Sequence, residues 1–516
     1  MKKLKTFIVN GLLLTAVSLI MRSVSVSFHI YLSNRIGAVA MGIFTLISTV
    51  YGFSITLATS GIQLASTRLV SEAMGKAEAT GEVARTSGIM RRCIAYSLSF
   101  SIPTAVLLFG LAPVIGTHWL GDVRTVSSLR ILAFSLPPIS LSACLSGYFI
   151  AVRRVHKNAA VQVIGEGVRI CLCSFLLSVW LADDIESACC AIVLGGTVAE
   201  CAAFLVQLFL FSGERRAARK NKRHAPDDAD SGDVNRRLLH IALPVAFSAY
   251  LRSGLVTLEH LLIPRGLQKS GSSREISLAA YGTLHSMVFP LVLFPSAISA
   301  SFAGLLIPEI SEAKAAGKEE EIKKIVDKVL NCVLTYAIGT AGIMMCFAYE
   351  IGNAVYPTAG TGAYLLAVAP LIPVMYLDTA VDSILKGIGQ QFYCMAVNLV
   401  DASLSVLLVW LLLPSMGIKG YLVTVYFTEI LNGALSLARL LTVCPVKAKI
   451  FHRILRPVVC IVLATASSRL FLHALGAFSG TRLDTFLHVS AAVLLYAALI
   501  LLFRIPQKRR QSATCV

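Results

Sequence analysis

The chain has 516 residues, of which 56% are hydrophobic and only 14% are charged, and its mean hydropathy is +0.75. Soluble domains carry roughly 25% charged residues, so a water-soluble fold of this composition would lack the polar side chains to cover its surface. The composition excludes a soluble globular protein and predicts an integral membrane protein. The net charge of +18 does not indicate nucleic-acid binding, because the basic residues lie in short segments between apolar runs.

The predicted elements are long apolar helices, since a span needs about 20 mainly apolar residues. Fourteen such runs occupy residues 6–33, 39–66, 90–116, 126–150, 158–182, 185–211, 238–262, 278–307, 329–351, 363–387, 391–413, 417–441, 455–475 and 485–504. The first run contains Arg22 and has no small-residue cleavage site after it, so we expect a retained helix rather than a signal peptide. The predicted fold class is an all-α polytopic membrane protein with about 14 transmembrane helices.

Loop charge predicts how these helices are oriented. With the N-terminus inside, 34 of the 46 Lys and Arg residues lie in inner segments, 9 lie in outer segments, and Arg22, Arg169 and Arg252 lie within helices. An excess of basic residues in cytoplasmic loops sets the orientation of multi-pass proteins. We therefore expect a plasma-membrane protein with both termini in the cytoplasm.

A short repeat predicts two similar halves. The loop after the second run contains Ser71-Glu72-Ala73, and the loop after the eighth contains Ser311-Glu312-Ala313. These positions are equivalent if runs 1–6 and 7–12 are copies that both enter from the cytoplasm, as parallel repeats do. The predicted organisation is an N-terminal six-helix bundle (1–211), a charged cytoplasmic linker (212–237), a C-terminal six-helix bundle (238–442), and two extra helices with a basic tail (443–516).

Several motifs resemble one transporter superfamily over nearly the whole chain. They are the Ser-Glu-Ala loop after the second run, Leu19-Ile-Met-Arg22, Asn34-Arg-Ile-Gly37, Leu385-Lys-Gly-Ile-Gly-Gln-Gln391, Pro414-Ser-Met-Gly-Ile-Lys-Gly-Tyr421 and Glu429-Ile-Leu-Asn432. The sequence resembles the multidrug/oligosaccharidyl-lipid/polysaccharide (MOP) exporters. Within that superfamily it looks most like the stage V sporulation protein B and polysaccharide biosynthesis branch.

This resemblance implies a fold and an activity. The implied fold is two six-helix bundles around a V-shaped cavity that opens alternately to each side, with the two extra helices sheltering a lipid tail. The implied activity is flipping of a lipid-linked saccharide, a peptidoglycan or polysaccharide precursor, from the inner to the outer leaflet. We expect a monomer in contact with membrane lipids, without a cofactor or a nucleic-acid partner.

Three residues are candidates for holding the substrate. Arg22 and Arg252 lie midway along runs 1 and 7, which are equivalent in the two halves. A charge at bilayer depth costs about 2.5–3.5 kcal/mol on insertion scales, so each arginine needs a role or a partner. The substrates implied by the resemblance carry a diphosphate, and a guanidinium donates paired hydrogen bonds to phosphate oxygens. We therefore predict that both arginines face one cavity and bind the diphosphate, with His29 extending the site.

Two considerations qualify this hypothesis. Lipid II flippases carry a further arginine in this part of the first helix, where the present chain has Phe28 and His29, which puts lipid II itself in doubt. The alternative role for each arginine is pairing with an acid on a neighbouring helix, which would only order the bundle.

Acidic residues support a competing interpretation. Asp378 and Asp382 are spaced i,i+4 on one helical face, and Glu429 lies within the twelfth run. Two adjacent carboxylates favour binding of a proton or cation, so these three residues are candidates for ion coupling in a cation-driven multidrug exporter. Glu166 and Arg169, spaced i,i+3, are instead expected to neutralise each other.

The sequence shows no motif for catalysis or nucleotide binding. It contains no Walker loop, no nucleophile elbow and no metal-binding spacing of His and Cys. The 13 cysteines include no CxxC pair, so neither a metal site nor a disulfide framework is predicted. We expect a transporter rather than an enzyme, driven by an ion gradient or by the membrane potential.

Overall fold

The structure, a computed structural model, describes residues 2–80, 86–179, 184–220, 231–299, 310, 313–314, 317–357, 360–445, 450–474 and 482–502. These residues are helical almost throughout, and none of them forms a strand. Lipid offers no hydrogen bonds to the backbone, so a spanning chain must satisfy its own peptide groups, as a helix does. The all-α fold class is therefore confirmed.

The helices are α1 (Lys2–Thr59), α2 (Ile62–Thr80), α3 (Thr86–Val114), α4 (Thr125–Ala133), α5 (Leu136–Ala151), α6 (Val155–Val179), α7 (Ile185–Lys220), α8 (Ser231–Lys269), α9 (Arg274–Gly282), α10 (Phe289–Leu293), α11 (Glu319–Cys346), α12 (Ala348–Val355), α13 (Thr361–Val368), α14 (Ile372–Gly387), α15 (Gln391–Met416), α16 (Ile418–Val443), α17 (Ile450–Ala474) and α18 (Arg482–Leu502). Two π-helical segments, Ile115–Trp119 and Thr283–Val288, and a 3₁₀ turn at Ala369–Leu371 connect some of them.

The described residues contain 11 helices that are long and apolar enough to span a membrane, or 12 if the bent pair α4 and α5 counts as one span. The first of these, Leu19–Gly75, contains most of the two predicted runs 6–33 and 39–66. Helix α17, outside this set, covers most of the predicted run 455–475. The chain is a multi-pass membrane protein, and the count of fourteen agrees with these helices but stays a prediction.

Two breaks in the helices follow from the local sequence. Helix α1 is broken at Gly37, whose φ of 80° and ψ of 172° lie in a region that only glycine enters readily. Helices α4 and α5 meet at an angle of 44°. Pro137 and Pro138 open α5 there, because proline is tolerated in a first helical turn but has no N–H to continue the preceding helix.

The chain divides into two compact units. The first comprises Met1–Met21 and Val39–Arg265, and the second comprises Arg22–Ala38 and Gly266–Val516. Compared with the lobes predicted from the repeat, residues 22–38 group with the second unit and residues 238–265 with the first. The division into two six-helix lobes stays a prediction.

In the first unit, small residues allow helices to approach closely. Gly147 on α5 faces α2, and a Cβ atom there would overlap Ser66 Oγ and lie 2.5 Å from the carbonyl oxygen of Gln63. Small residues at helix interfaces allow such packing in lipid, where the hydrophobic effect does not drive helices together. The hydroxyl of Ser140, also on α5, donates to the carbonyl of Ala58 at 2.8 Å.

In the second unit, the last two helices pack tightly against α11. Tyr496 of α18 lies where a side chain at Gly339 would be, and Ile461 of α17 lies where one at Gly342 would be. The Tyr496 hydroxyl also donates to the carbonyl of Thr335 at 2.6 Å. Both helices are therefore integral parts of the second unit.

The predicted linker 212–237 is partly helical. Helix α7 continues to Lys220 and α8 begins at Ser231, and residues 221–230 lie outside the described part of the chain. Glu72 of the first Ser-Glu-Ala motif forms ion pairs with Arg68, at 3.0 Å, and with Arg237 of α8. Ser311 and Glu312 of the second motif also lie outside the described residues.

Candidate functional site

The eighth predicted span is broken, and the break exposes main-chain acceptors in the second unit. Helix α10 ends at Leu293, and Phe294 and Pro295 interrupt the helical path. The last carbonyls of a helix have no partner within it, so side chains satisfy them. The donors are Tyr376 to Val292 at 2.6 Å, Ser296 to Leu293 at 2.6 Å, Tyr336 to Pro295 at 2.9 Å and Arg22 to Leu293 at 3.2 Å.

Arg22 is held by this break rather than by an acid. Its Nη2 donates to the Leu293 carbonyl, and its side chain is otherwise exposed. Among the residues that the structure describes, no carboxylate lies within 4.0 Å of its guanidinium. His29 is half-buried on the same helix and Phe28 beside it is buried. Within the described part of the chain, the positive charge of Arg22 thus has no acidic partner.

Arg252 belongs to the first unit and is also exposed. No described carboxylate forms an ion pair with it. Polar contacts fix its helix next to α1: Tyr250 donates to Ser60 Oγ at 2.7 Å, and Thr56 Oγ1 contacts Ser253 Oγ at 3.3 Å. Pairing with an acid, the alternative role weighed for Arg22 and Arg252, is not seen for either in the described part of the chain.

The third arginine within a span does have such a partner. Arg169 Nη2 lies 2.5 Å from Glu166 Oε1, one helical turn before it on α6. The predicted neutralisation of these two residues is therefore present in the first unit.

The candidate ion-coupling residues lie in the second unit on α14 and α16. Asp378 Oδ1 is buried and accepts no hydrogen bond from any described residue, whereas Oδ2 accepts a long one, 3.4 Å, from Asn432. Asp382, one turn later, pairs with Lys386 at 3.2 Å. Glu429 is half-buried and lies three residues before Asn432. The described residues hold no group of three or more His, Cys, Asp and Glu side chains suited to a metal ion.

An aromatic cluster around His285 was not predicted from the sequence. This residue lies in the π-helical segment Thr283–Val288, and its Nε2 is 2.8 Å from the Tyr421 hydroxyl. The rings of Tyr281, Phe289 and Tyr421 lie 4.7, 5.2 and 5.5 Å from its ring. A π-helix adds one residue to a turn, and in a mainly apolar span such a shift in the pattern is hard to recognise from the sequence.

Residues 7–263 match the polysaccharide biosynthesis protein family. The chain is 24% identical over 508 residues to stage V sporulation protein B of Bacillus subtilis, covering 98% of this chain and 96% of that protein.

Two solved structures share the fold. A lipid II flippase MurJ in an inward closed conformation superposes with a TM-score of 0.71 at 12% identity, covering 96% of this chain and 99% of that one. An inward-facing multidrug resistance MATE transporter of the MOP superfamily superposes with a TM-score of 0.59 at 12% identity, covering 83% and 96%. The chain is therefore similar to the polysaccharide biosynthesis protein family and to stage V sporulation protein B, and it has the fold of the MurJ flippase and of MATE transporters.

Proposed function

We propose that this transporter flips a lipid-linked saccharide, a cell-wall or polysaccharide precursor with a diphosphate, from the inner to the outer leaflet by alternating access. In this proposal Arg22 and Arg252 bind the diphosphate, and His29 extends the site. The bound group is an anion, so residues that hold it must carry positive charge that the protein does not itself cancel. The proposal concerns transport, and no chemical step on the substrate is part of it.

The observation that carries the proposal is the difference between the arginines. Arg169 is neutralised by Glu166 at 2.5 Å. Among the described residues, Arg22 donates to a neutral carbonyl and to no carboxylate, and Arg252 forms no ion pair. Keeping an unpaired charge within a span is costly, and an anionic ligand would compensate for that cost. A planar guanidinium also matches two phosphate oxygens at once.

The membrane potential would supply the driving force. Moving one charge through 100 mV corresponds to about 2.3 kcal/mol. An inside-negative potential would therefore push a diphosphate with two negative charges outward by roughly 4–5 kcal/mol. Net export would need no nucleotide hydrolysis.

Reconstituted flipping assays test the two arginines. The probe is a fluorescent polyprenyl-diphosphate disaccharide in proteoliposomes, and a membrane-impermeant reductant quenches the probe that reaches the outer leaflet. We expect Arg22→Ala and Arg252→Ala each to lower the flipping rate about tenfold or more, because each removes charge-assisted hydrogen bonds. The double variant should lose less than the product of the single losses if both residues hold one group.

Arg91→Ala is the matched control, since Arg91 is an exposed arginine on α3 outside the proposed site. It should flip the probe at the native rate. Native rates for both Arg22→Ala and Arg252→Ala, at native membrane abundance, would refute the proposal.

A cation-coupled multidrug exporter is the second candidate, and Asp378 is the observation in its favour. A buried carboxylate oxygen without a described hydrogen-bond donor is a natural place for a proton or cation. Under this alternative, Asp378→Asn should abolish efflux of a cationic dye from cells, and Arg22→Ala should leave efflux intact. Under the flippase proposal, dye efflux is absent in the native protein and Asp378→Asn retains flipping.

A further inference from the structure

The end of α10 leaves a carbonyl that the helix does not use. In a continuous helix, the N–H of Ala297 would donate to the carbonyl of Leu293, four residues earlier. Here it donates to Phe294 at 3.2 Å instead. Pro295 has no N–H and interrupts the helical path between these residues. The Leu293 carbonyl is consequently available to side chains.

The neighbouring carbonyls are already occupied by tyrosine hydroxyls. Those of Val292 and Pro295 accept hydrogen bonds at 2.6 and 2.9 Å. The Leu293 carbonyl has two lone pairs; Ser296 Oγ uses one at 2.6 Å and Arg22 Nη2 the other at 3.2 Å. Arg22 therefore binds a carbonyl at this break to which no described tyrosine donates.

We propose that Pro295 is a positioning residue for substrate binding, because the break that it makes supplies the carbonyl that orients Arg22. This inference rests on the proposed function of Arg22. A carbonyl fixes the direction of the guanidinium but, unlike a carboxylate, does not cancel its charge. Only one of the five guanidinium N–H groups is used in this contact, which leaves the others for the phosphate oxygens of the transported lipid.

The chemistry of the acceptor explains why a broken helix suits this purpose better than an acid. Glu166 also orients Arg169, at 2.5 Å, but it neutralises that residue. An arginine paired in this way has little attraction for an anion. An unused main-chain carbonyl gives orientation without neutralisation, and a span provides such a carbonyl only where its hydrogen bonding stops.

The test replaces Pro295 with alanine, which restores an N–H and allows the helix to continue through this point. Ala297 N–H would then compete with Arg22 for the Leu293 carbonyl. We expect Pro295→Ala to raise the KM for the fluorescent polyprenyl-diphosphate disaccharide about tenfold, as loss of one oriented charged hydrogen bond would. The maximal flipping rate should change far less, because the residue does not touch the substrate.

A double-mutant cycle separates positioning from a general structural effect. If Pro295 acts through Arg22, Pro295→Ala should leave KM unchanged when Arg22 is already alanine. An equal rise in KM with and without Arg22, or a native KM for Pro295→Ala alone, would overturn the inference while leaving the proposed function intact. A native KM for Arg22→Ala would instead refute the proposed role of Arg22 in substrate binding, on which the inference about Pro295 rests.

Pro103→Ala serves as the control, since Pro103 lies within helix α3 of the first unit, which continues past it. It should keep the native KM. If Pro295→Ala does not reach the membrane at native abundance, Pro295→Gly restores the same N–H without adding a side chain and replaces it in the cycle.

Discussion

At the scale of single residues, the charge of an arginine's partner separates a structural role from a binding role. Glu166 and Arg169 are three residues apart on one helix, so their contact could be predicted from spacing alone. The acceptor of Arg22 is 271 residues away in sequence. No local rule could have predicted that contact, because it depends on where two distant helices meet.

This contrast gives a stability prediction for Arg169. Arg169→Ala leaves the Glu166 carboxylate without its cation inside a span, and we expect a loss of about 1–3 kcal/mol in the free energy of unfolding. The double change Glu166→Gln with Arg169→Gln removes both charges and should cost less. Denaturant unfolding in mixed micelles measures the difference, and a double variant less stable than Arg169→Ala would contradict the predicted pairing.

At the scale of helices, the sequence predicted where the spans lie but not where they break. The run 278–307 was expected to be one helix, yet it contains a π-helical segment and the interruption at Pro295. The run 363–387 contains a 3₁₀ turn at Ala369–Leu371. Apolar periodicity continues across such breaks, and proline marks where one is allowed rather than where one occurs. The unused carbonyls that these breaks create were therefore missed.

Close helix contact gives a prediction at Gly147. A methyl group added there would overlap Ser66 Oγ and lie 2.5 Å from the Gln63 carbonyl, so α2 and α5 would have to separate. We expect Gly147→Ala to lower the free energy of unfolding by about 1–3 kcal/mol, the usual cost of overpacking. Gly110→Ala on α3 is the control, because a Cβ there meets open space. It should unfold at or slightly above the native temperature, and equal effects of both changes would show that the contact is unimportant.

At the scale of the whole molecule, loop charge predicts the orientation of the chain in the membrane. The two compact units show which segments of the chain pack together. The 34 inner against 9 outer basic residues predict that both termini lie in the cytoplasm. The grouping of residues 22–38 with the second unit was not predictable from the repeat, because the repeat specifies equivalent helices and not the neighbours that each helix finds.

Reporter fusions test the predicted orientation. Alkaline phosphatase inserted after Arg216 should be inactive, because that segment is predicted to be cytoplasmic. The same enzyme inserted after Ser270, in a predicted outer loop, should be active, since it folds only outside the cytoplasm. Green fluorescent protein at the two positions should show the reverse pattern, and any other result would require a different topology.

The seating of Tyr496 and Ile461 against Gly339 and Gly342 has a consequence for shortened forms of this chain. A chain ending after residue 443 would lack the Tyr496 and Ile461 side chains that occupy the space beside Gly339 and Gly342 on α11. Lipid acyl chains are flexible and would fill this space less closely. The carbonyl of Thr335 would also lose the phenol that caps it. The last two helices therefore fill the surface of α11, and a chain without them should be less stable and less tightly packed there.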